Sequence, residues 1–289
     1  MSKVLITGAS GGFGRLTVKA LAQKGHTVVA SLRDSAGRNS GVSAELTQLG
    51  AKVVELDVTD TGSVERGVQA ALSAAGGLDA VINNAGVGVL GLQEAFTPED
   101  WQRLFDINVF GVQRVNRAIL PHFREQRRGL LVHVSSLLGR LGVPFYGPYV
   151  ASKWALEGMV ESYRAELSNF GVEACLVEPG GYPTTFIANL MRPSDPARAE
   201  TYGEMAASVE PFLKGFEHAL ASNPAQNPED VASAIVGLVE APAGKRPHRT
   251  IVDKMGMGTA VEAQNQALAT ITQNIYNAFG IGHLLEVKV

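Results

Sequence analysis

Val4-Leu5-Ile6-Thr7-Gly8-Ala9-Ser10-Gly11-Gly12-Phe13-Gly14 decides how the rest of the chain is read. Three apolar residues run into a glycine-rich turn, and a helical pattern follows (Leu16, Val18, Leu21, Ala22) until Gly25 stops it. A strand, a glycine turn and a helix N-terminus in that order make an anion site. The glycines let the backbone approach a pyrophosphate, and the first helical N–H groups face it. Glycines also serve any tight strand-to-helix turn, so the motif alone decides little. Its weight comes from its place, between the first strand and first helix of a chain whose strand and helix patterns alternate almost throughout. The expectation is an α/β fold: one Rossmann-type, doubly wound parallel sheet with helices on both faces, carried by residues 1–289 as a single domain.

Working outward, Thr27–Leu32 reads as the second strand, and a dinucleotide's adenosine ribose lies at the end of such a strand. The residues there are Ser31-Leu32-Arg33-Asp34. Leu32 cannot accept a hydrogen bond from a 2′-hydroxyl, whereas Arg33 can pair with a 2′-phosphate, which favours NADP(H). Asp34 reads the ribose instead if the strand ends later, so NAD(H) is the fallback; both charges also suit an ordinary solvated loop. A third strand over 53–56 ends at Asp57-Val58, where the carboxylate either faces the ligand crevice or caps the helix that starts near Thr61. A fourth over 78–82 ends in Asn83-Asn84-Ala85-Gly86, two amides and a glycine that imply a turn locked by side-chain hydrogen bonds.

Thr97-Pro98-Glu99-Asp100 opens a helix expected to run unbroken to about Gln126. Asn108 lies inside it among apolar neighbours, either a satisfied core amide or a catalytic group. Strand five, over 130–134, ends at Ser135-Ser136, and a helix from Pro148 to about Asn169 carries Tyr149 and Lys153. Residues four apart share one helix face. A free phenol, with a pKa near about 10, is a poor proton carrier at neutral pH. A neighbouring ammonium favours the phenolate and brings that value down, so the pair can give a proton to a carbonyl oxygen or take one from an alcohol. A surface tyrosine beside a solvated lysine has the same spacing. Strand six, over 173–177, leads into Glu178-Pro179-Gly180-Gly181-Tyr182-Pro183-Thr184. Residues 185–228 break the alternation and are expected to form a substrate lid, or else a surface excursion. A helix over 228–238, a last strand over 250–252 and a helical C-terminal extension over 255–289 complete the chain.

Net charge −3 and a pI of about 6.1 leave no electrostatic footprint for nucleic acid. The basic run from Arg124 to Arg128 falls where a helix should end, and cations there complement its dipole. The single cysteine, Cys175, sits in an apolar strand pattern and cannot form an internal disulfide, which fits a reducing compartment. No stretch reaches the roughly 18 apolar residues of a membrane span, and a first strand at Lys3 leaves no room for a signal peptide. A cytoplasmic protein without a membrane partner is expected. The six histidines show no ligand spacing, so no metal is expected.

Together these pieces resemble a short-chain dehydrogenase/reductase of the shorter, non-extended branch. That family's T-G-x-x-x-G-x-G motif is met by Thr7, Gly8, Gly12 and Gly14, and its N-N-A-G motif by residues 83–86. The resemblance implies that Ser136, Tyr149, Lys153 and Asn108 are catalytic, and that Pro179-Gly180 with Thr184 lines the nicotinamide side. It covers about residues 3–184, and Ala151-Ser152-Lys153-Trp154-Ala155-Leu156-Glu157-Gly158 looks like hydroxysteroid and retinol dehydrogenase-like members. Two departures, the added Gly181-Tyr182 and the long C-terminal part, fall where substrate is chosen. Gly8, Gly11 and Gly14 also fit the G-x-x-G-x-x-G spacing of the extended branch, with its sugar epimerases. The N-N-A-G motif, Asn108 and the modest length favour the shorter one.

The resemblance implies hydride transfer between a ketone or aldehyde and an alcohol. Tyr149 is the expected general acid/base, and Lys153 lowers its pKa and holds the nicotinamide ribose. Ser136 hydrogen-bonds the substrate oxygen, and Asn108 holds a water for proton return. Expected cofactor contacts are Gly8, Ser10, Gly12, Phe13, Gly14, Arg33, Asp57, Val58, Asn84, Ala85, Gly86, Tyr149, Lys153, Pro179, Gly180 and Thr184; expected substrate contacts are Ser136 and Tyr149. The partner is a small carbonyl or alcohol, apolar if lid residues such as Phe186, Leu190, Met191 and Phe212 line its pocket, and family members are dimers or tetramers. Two rival readings stand beside this one. A redox-sensing regulatory protein would use the nucleotide as a ligand, although such relatives typically lose the Tyr/Lys pair. A sugar-nucleotide epimerase would need a nucleotide-diphosphate pocket in 185–289, where no basic cluster suggests one.

Overall fold

A computed structural model describes all of residues 1–289. β1 (Lys3–Ile6) leads through the glycine turn into α1 (Gly12–Gln23), and the unit repeats as β2 (Thr27–Leu32), α2 (Ser40–Gln48), β3 (Lys52–Glu55), α3 (Thr61–Ala75) and β4 (Ala80–Asn83). The chain continues through α4 (Pro98–Phe105), α5 (Gly111–Glu125), β5 (Gly129–Val134), α6 (Gly147–Leu167) and β6 (Val172–Pro179). Four helices then interrupt the alternation: α7 (Thr185–Ala188), α8 (Pro196–Glu200), α9 (Glu204–Ala207) and α10 (Val209–Ala221). The last elements are α11 (Glu229–Glu240), β7 (Arg249–Val252) and α12 (Gly258–Ala278).

The strands form one parallel sheet in the order β3-β2-β1-β4-β5-β6-β7. The chain walks outward from β1 to β3, returns to the middle with β4 and walks the other way. The crevice between β1 and β4 is therefore the switch point where an open α/β sheet binds its ligand. Helices cover both faces, so β6 is buried at every position, as a strand with no solvent face has to be. Successive side chains alternate between the two layers. Val4 and Ile6 join Val18 and Leu21 of α1 and Val231 and Ile235 of α11. Leu5 joins Val64 and Val68 of α3 and Val115, Ile119 and Phe123 of α5. Each such side chain contributes roughly 1.5–3 kcal/mol by leaving water, and a one-residue slip of β1 would exchange the two sets.

The helix expected to run unbroken from 98 to 126 is broken. α4 begins on a capping box, with Thr97 Oγ1 accepting from Asp100 N (3.3 Å) and the Asp100 carboxylate accepting from Thr97 N (3.1 Å). Residues Asp106–Phe110 then form a single π turn before α5 starts. The buried Asn108 side chain in that turn is drawn across to the main chain of Val87, and the extra residue accommodates it. No helix is long and apolar enough to cross a membrane. At the far edge Val261 of α12 is fully buried, while Ile271 and Ile275 farther along the same helix and Phe279 at its C-cap are exposed.

Candidate active site

The glycine turn and the end of β4 are built as one unit. A Cβ on Gly8 (φ 66°) would lie 2.7 Å from Ala85 Cα, and one on Gly14 would lie 2.5 Å from Gly8 O and 2.6 Å from Asn84 Nδ2. Only glycine allows that approach. Thr7 Oγ1 accepts from Asn84 N and Ala85 N (3.1 Å each), and Asn84 Nδ2 donates to Thr7 O and Gly8 O (3.0 Å each). The Asn84 side chain is thus a clamp between two strand ends, the side-chain-locked turn expected for residues 83–86. Gly11 caps α1 without any side-chain acceptor for its first N–H groups. In front of them Gly12 (φ 51°) opens on free space, since a Cβ there would come within 3.9 Å of Thr184 alone. Ser10 is exposed, and Phe13 turns away to pack edge-on against Tyr182 (5.5 Å). A row of uncapped N–H groups before an unfilled cradle fits a diphosphate.

At the neighbouring corner, Arg33 is exposed and pairs with Asp57 Oδ2 at 3.7 Å. Asp57 Oδ1 accepts from Thr59 N (2.9 Å) and Thr59 Oγ1 (2.7 Å), an Asx turn; the cap of α3 is Asp60, not Asp57 as one reading of the sequence had it. Burial raises the Asp57 carboxyl, but the Thr59 hydrogen bonds and the Arg33 guanidinium hold it below its ordinary value. Asp34 takes a left-handed conformation (φ 54°) and accepts from Arg38 N (3.0 Å), while Glu55 accepts from Asp34 N and Ser35 N. The Asp34 carboxylate is therefore engaged in its own turn, while Arg33 stays exposed beside Asp57. Val58 stands against Gly111, its carbonyl accepting from Arg114 Nη1 (3.0 Å).

Ser136, Tyr149, Lys153 and Asn108 come together at the ends of β4 and β5. Tyr149 and Lys153 are both buried on α6. Lys153 Nζ donates to Val134 O (2.8 Å) and lies 5.7 Å from the Tyr149 ring centroid. Asn108 Oδ1 accepts from Val87 N and its Nδ2 donates to Val87 O (2.9 Å each) and Ser152 Oγ (3.1 Å). Asn108 Oδ1 and Lys153 Nζ flank Gly86, at 3.3 and 3.9 Å from a Cβ built there. Burial pushes the Tyr149 phenol well above its ordinary value, and the facing Ser136 hydroxyl works the other way. Burial outweighs any effect of Lys153 here, whose ammonium is directed to the Val134 carbonyl. Burial also brings Lys153 down to about 8, opposed by Glu157. The lysine has donors left over after its single protein acceptor, which suits hydroxyl ligands.

Above these groups lies the segment after β6. Gly180 N donates to Val252 O (2.9 Å), which fixes Pro179-Gly180 to β7. Thr184 caps α7, its Oγ1 accepting from Phe186 N (3.3 Å). The Phe186 ring packs edge-on against Tyr149 (5.6 Å) and would overlap any side chain at Gly88. Residues 191–202 are pinned: Leu90 N donates to Met191 O (2.9 Å), Asp195 N to Ala95 O (3.2 Å) and Ser194 Oγ to Asp100 (2.7 Å). Tyr149 packs in an apolar cluster with Val89, Leu90, Phe145, Tyr146 and Leu213. Sequence reasoning did not single out a buried amide and imidazole chain beneath the site. Asn83 Nδ2 donates to Asn116 Oδ1 (2.8 Å), Asn116 Nδ2 to His133 Nε2 (3.0 Å), and His133 Nδ1 to Cys175 O (3.2 Å). A histidine inside the apolar strand 130–134 was the available signal.

A family model described as short chain dehydrogenase matches residues 2–194. A 3-ketodihydrosphingosine reductase of Bacteroides thetaiotaomicron is 38% identical over 186 residues, 64% of this chain and 66% of that protein. Retinol dehydrogenase 8 of Homo sapiens is 36% identical over 244 residues, 82% of this chain and 77% of that protein. A crystal structure of a short chain dehydrogenase/reductase from Burkholderia phymatum in complex with NAD superposes with a TM-score of 0.73, at 28% identity over 91% of each chain.

Proposed function

This chain belongs to the short-chain dehydrogenase family, an oxidoreductase family that moves hydride between carbonyl and alcohol with a dinucleotide, and from that premise we propose an NADP(H)-dependent reductase of apolar ketones or aldehydes. The observation that carries the reading is the meeting of a buried Tyr149 with Ser136 and a Lys153 ammonium that has a single protein acceptor, beside an uncapped helix start.

When bound, a nicotinamide dinucleotide supplies the hydride. The α1 start with Gly8, Gly12 and Gly14 would hold its diphosphate, with Ser10, Phe13, Ala85, Gly86, Pro179, Gly180 and Thr184 around it. Asp57 and Val58 would take the adenine side, and Arg33 the 2′-phosphate. Arg33 is favoured over Asp34 because the Asp34 carboxylate already serves its own turn. Tyr149 gives its phenolic proton to the carbonyl oxygen, and Ser136 Oγ donates a hydrogen bond to that oxygen as charge develops on it. Lys153 donates to ribose hydroxyls from Nζ and stabilises the phenolate left behind. Both Asn108 amide hydrogens and one acceptor site of Oδ1 are engaged, and the remaining Oδ1 site would hold the water for proton return.

Residues 1–289 are read as one domain, with 185–228 covering substrate and 255–289 bracing the far edge. The apolar cluster around Tyr149 and the names of the two relatives favour a hydrocarbon-rich substrate. Exposed Phe110 and Trp154 favour a homodimer or homotetramer, and the buried, unpaired Cys175 suits the cytoplasm. Purified protein is tested with NADPH, then NADH, against a panel of apolar and polar carbonyls. NADPH-dependent turnover of apolar members is expected. Tight nucleotide binding without turnover across the panel would support a regulatory protein instead.

A further inference from the structure

Glu157 stands one helical turn beyond Lys153 on α6, in a buried cluster that the chemistry above does not use. Its side chain is 2% exposed, with Oε2 held by Arg249 Nη1 and lying 3.3 Å from Arg140 Nη2. Arg249 comes from β7 and also reaches Glu178 Oε1 at the end of β6 (2.7 Å) and Glu161 on α6. Asn265 of α12 donates to Glu178 Oε2 (2.6 Å), and His248 lies 3.2 Å from Glu161. Burial and Glu157 push the Glu178 carboxyl up.

Lys153 is a buried cation with no carboxylate in contact. Around its ammonium are Tyr149 on its own helix, the Val134 carbonyl and His133 on β5, Asn108 in the π turn, and the Asn84–Gly86 loop. None of these carries charge at neutral pH, since burial pulls His133 down to about 4. Glu157 is the one charged side chain acting in favour of the ammonium, and Arg140, Arg249, Glu161, Glu178 and His248 are grouped around Glu157 and its partners. A second observation concerns the other Glu157 oxygen. Oε1 and Ser135 Oγ are both buried without a partner, 3.1 and 2.9 Å from a Cβ built on Gly139. Gly139 thus keeps a small space open behind Ser135-Ser136, and both arginines lie against Oε2 while Oε1 has no donor.

We propose that Glu157 is a positioning residue for the reaction: from the next turn of α6 its carboxylate holds Lys153 in the ammonium form, while Arg140 and Arg249 hold the carboxylate in place. The consequence for catalysis rests on the reading of Tyr149 and Lys153 as the proton-transfer site; the coupling of Glu157 to Lys153 is a property of the folded chain alone.

The full-length protein is labelled with trace acetic anhydride across pH, and Lys153 acetylation is followed by peptide mass spectrometry, with the pH profile of kcat/KM for carbonyl reduction measured in parallel. The wild-type labelling midpoint should lie near 8. Glu157→Gln should lower it by about one unit and move the alkaline limb of kcat/KM by the same interval, with the low-pH plateau retained. Glu157→Asp should keep most of the wild-type value. Glu161→Gln, which also strips a carboxylate from Arg249 but lies a further turn away, should leave the midpoint in place. An unmoved midpoint in Glu157→Gln, or an equal move in Glu161→Gln, overturns the proposal. If Glu157→Gln does not fold, a wild-type midpoint below about 6.5 overturns it as well, because burial then prevails despite Glu157. Turnover by Tyr149→Phe would instead sink the site reading while leaving the labelling result to stand.

Discussion

Replacing Arg33 with alanine should weaken NADPH binding about tenfold and leave NADH binding within about twofold. Hydrogen bonds to charged groups contribute roughly 1.5–3 kcal/mol. The Arg33 side chain is 55% exposed and already pairs with Asp57 at 3.7 Å, so solvent screening and that competing partner place it at the low end. About 1.4 kcal/mol is a factor of ten in Kd. The variant also uncovers Asp57, whose carboxylate would then repel a 2′-phosphate and leave a 2′-hydroxyl unaffected. Titration of cofactor fluorescence with both nucleotides, on wild type and Arg33→Ala, measures the ratio directly. Equal losses for the two cofactors would mean that Arg33 supports the loop and reads no phosphate. No loss at all, with NADH bound as well as NADPH, would assign the ribose to the backbone or Asp34 and remove the NADP(H) preference.

Three further outcomes follow from the geometry. Gly14→Ala should abolish cofactor binding and lower stability by about 1–3 kcal/mol, since its Cβ would press on Gly8 O at 2.5 Å and Asn84 Nδ2 at 2.6 Å; unchanged binding would contradict the fused turn. Phe186→Ala should raise KM for an apolar ketone several-fold with kcat within about threefold, as loss of an aromatic contact worth roughly 0.5–1.5 kcal/mol predicts; a fall in Tm with KM unmoved would make Phe186 a core residue only. His133 has a folded pKa of about 4 against an ordinary value of 6.5. Between those values the unfolded chain takes up a proton that the folded chain refuses, so stability is lost as pH falls through that window, by about 3 kcal/mol in all. Urea denaturation should show a shallower acid slope in His133→Gln, and an identical slope would exclude His133 as the cause.

The doubly wound parallel sheet and its ligand end were legible because they depend on local signals: apolar runs, glycine turns and helix starts in strict alternation. The glycine turn, the Asn83–Gly86 turn and Tyr149/Lys153 each lie at a strand end or on one helix face, where spacing along the chain fixes spacing in space. Three features were not legible. The π turn at Asp106–Phe110 arises from the pull of Val87 on Asn108 across 21 residues, which no helical periodicity records. The upward push on the Tyr149 phenol comes from burial, which depends on Phe186 arriving from beyond β6. Glu157 was in view four residues after Lys153, but only β6 and β7 bring it the arginine and glutamate that make it a buried charge cluster.

Turnover of an apolar carbonyl by Tyr149→Phe, measured beside its NADPH affinity, tests the central claim most directly. The phenol oxygen carries the proton and the ring carries the packing against Phe186 and Tyr146, so phenylalanine removes the first and keeps the second. Wild-type NADPH affinity with turnover reduced at least about a hundredfold, the low end of what general acid catalysis provides, is the predicted result. Turnover near wild type would contradict it, and the proton would then have to come from Ser136 or from water.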